Sequence, residues 1–394
     1  MYAESANSPV GRPSLPARLP VAAALIWFGA FLASAVPWFD QLNAADLIAA
    51  FWTFEADDYA SVLAHFSWAP RVAMAVLIGC GLGLAGAVTQ QILGNPLASP
   101  TTLGVEAGGQ FGITVATLFF PGLLALSPDL AAVSGGFLAI GLVIALTWRL
   151  GFSPVTVILA GLVVTFFLGA VNMAFLLLKG EWLGNLFIWG AGSLVQNNWQ
   201  PFTDLWPRVL VLGVFMILLM RPLQVMQLGQ TSARSLGAKV GLIRVLALFL
   251  VVMMSATVVS RVGVVAFIGL AAPVLARLLG ARTLSERLVW SSVLGAGLLL
   301  LADTLAHWAS TWGDGSLVPT GTTTALIGGP IILLALQGLK NTHHMPGQDD
   351  SPAGFLPKRR SSLVIGGALA MLLLITIRIP MAWSPGLTER SWTP

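Results

Sequence analysis

The 394 residues carry a formal net charge of +4, with 56% hydrophobic and 9% charged side chains and a mean hydropathy of +0.85. A soluble domain carries about 25% charged residues, so this composition excludes a soluble fold of this size. The basic residues stand singly between apolar runs, which excludes a nucleic-acid-binding patch, and the single cysteine, Cys80, excludes an intrachain disulfide or a CxxC site.

The apolar runs are continuous rather than alternating, so the spanning elements are helices and not barrel strands. Residues 1–18 form a polar, proline-rich tail, placed on the cytoplasmic side. The first run, 19–36, ends in Ala33-Ser34-Ala35, the small-residue pattern of a signal cleavage site, yet its length suits a tilted span. Further runs follow at 72–93, 103–120, 130–148, 155–178, 209–220, 245–259, 264–279, 288–307 and 322–339. With the first they make ten candidate spans in a ten-helix domain over 19–340. A polar linker at 341–362 then leads to an additional apolar segment and tail at 363–394. The expected fold is all-α, a polytopic transmembrane helical bundle of about ten spans plus one extra C-terminal span.

Threading ten spans from an inside N-terminus puts fourteen of the twenty Lys and Arg residues on the cytoplasmic side, as the positive-inside rule requires. Of the basic residues in the first ten spans and their loops, only Arg71, Lys179, Arg208 and Arg261 fall outside, beside Asp40, Asp46, Glu55, Asp57, Asp58, Asp129, Glu181, Asp204 and Asp314. Glycine recurs at small-xxx-small spacing, at Gly79/Gly83, Gly104/Gly108 and Gly108/Gly112, which lets helix backbones approach closely where lipid supplies no hydrophobic drive.

No G-x-x-x-x-G-K-[ST] phosphate loop, metal-spaced histidine pair or G-x-S-x-G elbow occurs, so neither ATP binding nor catalysis has residues to rest on. Two acids lie inside apolar runs, Glu106 and Asp303. Burying an ionisable group in a membrane is costly, which makes both functional candidates, with a structural hydrogen-bond acceptor as the plain alternative for Asp303. The stretch 221–244 is too polar to span and suits a short helical hairpin at the cytoplasmic face, open to a partner's groove or lying along the membrane.

These residues resemble the permease subunits of ABC importers for iron siderophores, haem and vitamin B12. Asn95-Pro96-Leu97-Ala98-Ser99-Pro100-Thr101-Thr102-Leu103-Gly104 is similar to that family's N-P-L-A-x-P-x-x-L-G signature. Ile158-Leu159-Ala160-Gly161, Trp189-Gly190-Ala191-Gly192-Ser193-Leu194, Ser232-Ala233-Arg234-Ser235-Leu236-Gly237, Phe267-Ile268-Gly269-Leu270-Ala271-Ala272-Pro273, Leu301-Ala302-Asp303 and Thr324-Ala325-Leu326-Ile327-Gly328-Gly329-Pro330 follow in order. Within the family, Gln90-Gln91, Pro100-Thr101-Thr102 and Ser153-Pro154-Val155-Thr156 look like the N-terminal half of the fused ferric-hydroxamate permeases. The stretch from Asn341 onward looks like the start of a second half, which implies a truncated or split form.

The resemblance implies a permease that carries an iron(III)-siderophore of hydroxamate type across a bacterial inner membrane. It implies no cofactor on this chain, with ATP and Mg on cytoplasmic ABC ATPase subunits. It further implies a periplasmic substrate-binding protein and a second permease half or second copy. Thr231, Ser232, Ala233, Arg234, Ser235, Leu236 and Gly237 would form the ATPase-coupling loop, and Gln90, Asn95, Pro96, Glu106, Gln110 and Asn172 would line the pathway. Glu106 stands where the family has a small or polar residue. The alternatives are an ion-coupled secondary transporter using Glu106 and Asp303, or a partial permease inactive without its second half.

Overall fold

The computed structural model describes residues 18–147, 154–180, 183, 190–227, 235, 239–312 and 318–339. The expected linker 341–362, the segment 363–394, residues 1–17 of the tail, and Thr231, Ser232, Ala233, Arg234, Leu236 and Gly237 lie outside the described residues. Among the described residues the elements are helical, in the order α1 (Arg18–Ala35), α2 (Ala44–Ala49), α3 (Tyr59–Leu63), α4 (Ala69–Leu93), α5 (Val105–Phe119), α6 (Pro121–Leu126), α7 (Pro128–Thr147) and α8 (Pro154–Leu178). Then come α9 (Gln200–Leu218), α10 (Met220–Met226), α11 (Val240–Val262), α12 (Ile268–Leu278), α13 (Leu284–Trp312) and α14 (Thr320–Leu339).

Among the described residues, seven helical stretches are long and apolar enough to cross a membrane: Leu19–Trp38, Tyr59–Leu93, Pro128–Thr147, Thr156–Leu178, Gln200–Leu218, Val240–Val262 and Leu284–Thr311. The expected count of ten is not reached on this measure. Two of the expected spans are short helices: α5 has 15 residues and α12 has 11. At about 1.5 Å per residue α12 rises about 17 Å, roughly half of a 30 Å hydrocarbon core. The second span is longer than expected, because the Asp58 carboxylate caps α3 at Ala60 and Ser61, and a π turn at Ala64–Trp68 joins α3 to α4.

α4 is the central post. It packs along α13, and against α9, α11 and α12. A methyl group on Gly79 would overlap the Gly295 carbonyl, one on Gly83 would overlap that of Ser291, and one on Gly86 would overlap that of Gly269. Gly108 and Gly112 of α5 meet Gly135 and Ala131 of α7 in the same way. The small-xxx-small pairs Gly79/Gly83 and Gly108/Gly112 are thus backbone contact surfaces. Gly104 instead leaves the turn before α5 with φ of 77°, in the left-handed region where a side chain is disfavoured.

α1 packs on α13, and its Trp27 indole donates to the Val293 carbonyl at 2.8 Å. Between α11 and α12 the chain leaves helical geometry, so its backbone groups need partners elsewhere. Val264 N donates to the Gly190 carbonyl at 3.4 Å, Ser193 N to that of Val262 at 2.8 Å, and Gly321 N to that of Gly192 at 3.3 Å. Large apolar side chains stay exposed along α8 and α9, among them Phe166, Phe167, Leu177, Leu210 and Phe215, as a lipid-facing wall requires.

Gly83→Val should destabilise the bundle by about 3 kcal/mol or more, because no rotamer relieves an overlap with backbone. Gly141→Ala, with open space around it, should leave melting in detergent unchanged. Equal melting of the two variants would refute the α4–α13 contact.

Candidate functional site

The signature turn after α4 is held by its own hydrogen bonds. Gly94, with φ of 59°, ends α4; the Asn95 side-chain oxygen then accepts from Leu97 N at 2.8 Å. Ser99 and Thr102 cap one another, Ser99 N donating to the Thr102 hydroxyl at 2.9 Å and Thr102 N to the Ser99 hydroxyl at 3.1 Å. This reciprocal pairing suits Ser and Thr three residues apart before a helical turn.

Arg277 of α12 fastens the turn to α4. Its Nη2 donates to Gln90 Oε1 at 2.7 Å and to the Pro96 carbonyl at 3.3 Å, while Gln90 Nε2 donates to the Leu270 carbonyl at 3.5 Å. Gln91 Nε2 donates to the Leu223 carbonyl at 3.3 Å and Gln91 Oε1 accepts from Gln227 Nε2 at 3.1 Å, which ties in α10. A cavity of 290 Å³ opens among these groups, lined also by Arg287 and Leu284. Gln227, at its edge, begins the chain toward the expected coupling loop, of which only Ser235 is described, exposed.

The structure therefore brings Gln90, Asn95 and Pro96 together at one end of the bundle, and it adds Arg277, which sequence reasoning did not single out. Glu106, Gln110 and Asn172 lie apart from them. Glu106 and Gln110 are four residues apart on one face of α5. Glu106 is 3% exposed, and its Oε2 has no hydrogen-bond partner among the described residues; Thr101 is its polar neighbour. The Gln110 amide packs on the backbone of Gly190. On α8, both polar atoms of the Asn172 amide are buried without a partner among the described residues. Each such atom costs about 1–3 kcal/mol, so Glu106 and Asn172 are kept buried at a loss of stability.

At the opposite end, Asp303 is 4% exposed and fully engaged. Arg71 grips it through Nε at 2.5 Å and Nη2 at 2.9 Å, and the Thr320 hydroxyl donates to Oδ1 at 2.8 Å. The buried-acceptor alternative thus describes its surroundings. A second cluster joins α7, α9 and α11: Arg208, Arg261 and Ser260 converge on Asp129, and Arg261 reaches Asp204 at 3.5 Å. Three of the four basic residues that the charge rule leaves outside are thereby paired with acids. No three His, Cys, Asp or Glu side chains gather to hold a metal ion among the described residues.

A helical bundle with an apolar outer wall, buried polar side chains and polar joints at both ends is, in class, a multi-pass membrane protein. The chain belongs to the FecCD transport family, whose description matches residues 17–337. It is 41% identical to the iron(3+)-hydroxamate import system permease protein FhuB of Salmonella typhimurium over 87% of this chain and 49% of that protein. It is 38% identical to the protein of the same name in Escherichia coli, over 95% of this chain and 54% of that one. The chain thus spans about half the length of these curated relatives. It is also 33% identical to the Fe(3+) dicitrate transport system permease protein FecC of Escherichia coli, covering 82% of this chain and 96% of that one. A solved metal-chelate type ABC transporter in an inward-facing conformation matches with a TM-score of 0.64 and 26% identity, over 79% of this chain and 99% of the other.

Arg71→Ala should strand the Asp303 carboxylate and cost about 3 to 5 kcal/mol. The double variant Arg71→Ala with Asp303→Ala should recover much of that loss. Additive losses in melting would show that the two side chains do not interact.

Proposed function

We propose that this chain is a permease unit of an ATP-binding-cassette importer that passes an iron(III)-hydroxamate chelate from periplasm to cytoplasm across a bacterial inner membrane. The observation that carries this reading is the family match across residues 17–337, together with relatives named for iron(3+)-hydroxamate import at 41% and 38% identity. The scarcity of charge in the spans supports it, because a bulky chelate calls for a wide, weakly binding path and must be released. The chemistry on the substrate is nil.

Mechanically, the unit alternates between outward and inward openings. ATP and Mg are bound and hydrolysed by a separate ATPase that docks on 231–237, beyond Gln227 and the Arg277 cavity. A periplasmic binding protein delivers the chelate at the end that carries Arg71 and Asp303. The half-length coverage of the relatives favours a pathway formed between two such units. It also supports a second reading, in which this unit alone is inactive. The Glu106 carboxyl keeps an ion-coupled rival in view, since a buried acid with one oxygen left without a partner among the described residues is a group such coupling can use.

Chelate uptake into proteoliposomes holding the chain, its ATPase and its binding protein separates these readings. Uptake should require ATP and should fall at least tenfold in Arg234→Glu, with loss of ATPase co-purification. Uptake driven by an ion gradient without the ATPase would overturn the importer reading. Uptake that appears only when a second permease unit is added would establish the half-pore.

A further inference from the structure

The cavity beside the signature turn has an unusual charge balance. Arg277 and Arg287 both line it, and among the described residues no Asp or Glu does. The two guanidinium groups are close enough to repel. Glu286 attracts Arg287, but its Oε2 is already taken by the N–H groups of Arg282 and Thr283 at 2.8 and 3.2 Å. Neither arginine is saturated. Among the described residues Arg277 is bonded through Nη2, to Gln90 and Pro96. Arg287 gives Nη2 to the Arg282 carbonyl at 3.4 Å, and its Nε is buried with no partner among the described residues.

Two arginines on one cavity of 290 Å³, each with guanidinium hydrogens left over among the described residues, make a site short of one anion. We infer that the cavity between the feet of α4, α12 and α13 binds a phosphate oxyanion, supplied by an anionic phospholipid headgroup or by soluble phosphate. The planar donor fork of arginine matches phosphate oxygens in pairs, and the amides of Gln91, Asn95 and Gln227 add neutral donors around the rim. Basic pockets between helices on the cytoplasmic side are the physical setting in which such headgroups are held, and the charge rule places this end there. Met226, Leu284 and Ala87 supply apolar wall for the remainder of a lipid. An anion here would bridge α12 and α13 beside the turn that Arg277 fastens.

The test needs no ATPase or chelate, so its outcome is independent of the importer reading. The purified full chain is stripped of lipid, then titrated with phosphatidylglycerol, phosphatidylcholine or inorganic phosphate, with retention read by native mass spectrometry and stabilisation by melting temperature. Phosphatidylglycerol retained over phosphatidylcholine, and held about tenfold more weakly by Arg287→Gln through loss of a charge-assisted hydrogen bond, supports the site with a lipid occupant. Equal retention of the two lipids, with stabilisation by inorganic phosphate in the parent but not in Arg287→Gln, supports it with a soluble occupant. If Arg287→Gln does not fold, Gln227→Glu should give the same loss by repulsion at the rim. Binding that is unchanged in these variants, or reduced as much by Arg221→Gln, an exposed arginine that does not line the cavity, would overturn the inference.

Discussion

The backbone-to-backbone approach of α4 and α13 is the constraint on which the rest of the bundle depends. In lipid, apolar side chains gain nothing from leaving the solvent, so helices are held by close packing and by polar joints. Gly79, Gly83 and Gly295 remove the side chains that would hold the two axes apart. Because α4 also touches α9, α11 and α12, its position fixes theirs. Gly86 against Gly269 extends the same device to α12, the helix that presents Arg277 to the signature turn.

How much of this was legible in the sequence depends on the range of each interaction. The glycine pairs could be read as contact surfaces because their spacing is local. The stretch 95–104 could be located by its likeness to a family signature, and the structure adds that Asn95, Ser99 and Thr102 bond to near neighbours. Asp303 was visible as a buried acid, but its partner was not: Arg71 stands 232 residues earlier, at a place where the charge rule marked it as an exception. Gln90 likewise carried no sign that Arg277, 187 residues on, would take its side-chain oxygen. Pathway positions were assigned from span order. Span order says which helix carries a residue, whereas the direction of its side chain depends on neighbours that periodicity does not reveal.

The break between α11 and α12 shows the same limit. Hydropathy sees one apolar run beginning at 264, while the chain spends five residues outside helical geometry before Ile268. Phe267 has φ of 69°, the sole non-glycine residue with positive φ among those described, and its ring lies on Gly328 of α14. The backbone cost of that conformation is borne because the ring is seated and because the Gly190 carbonyl accepts from Val264 N while Ser193 N donates to the Val262 carbonyl. Apolar composition alone carries no record of such an arrangement.

The pairing of Arg71 with Asp303 also sets a timetable for making the protein. A ribosome adds roughly 5–20 residues per second, so the acid emerges about 10 to 50 seconds after the arginine that needs it. During that interval the second span carries an unneutralised guanidinium 12 residues inside its first residue, Tyr59. It must be sheltered by the insertion machinery or by headgroups until α13 arrives. The joint thus closes only once α13 is made, and a nascent chain halted before residue 303 holds Arg71 without the carboxylate it grips in the bundle.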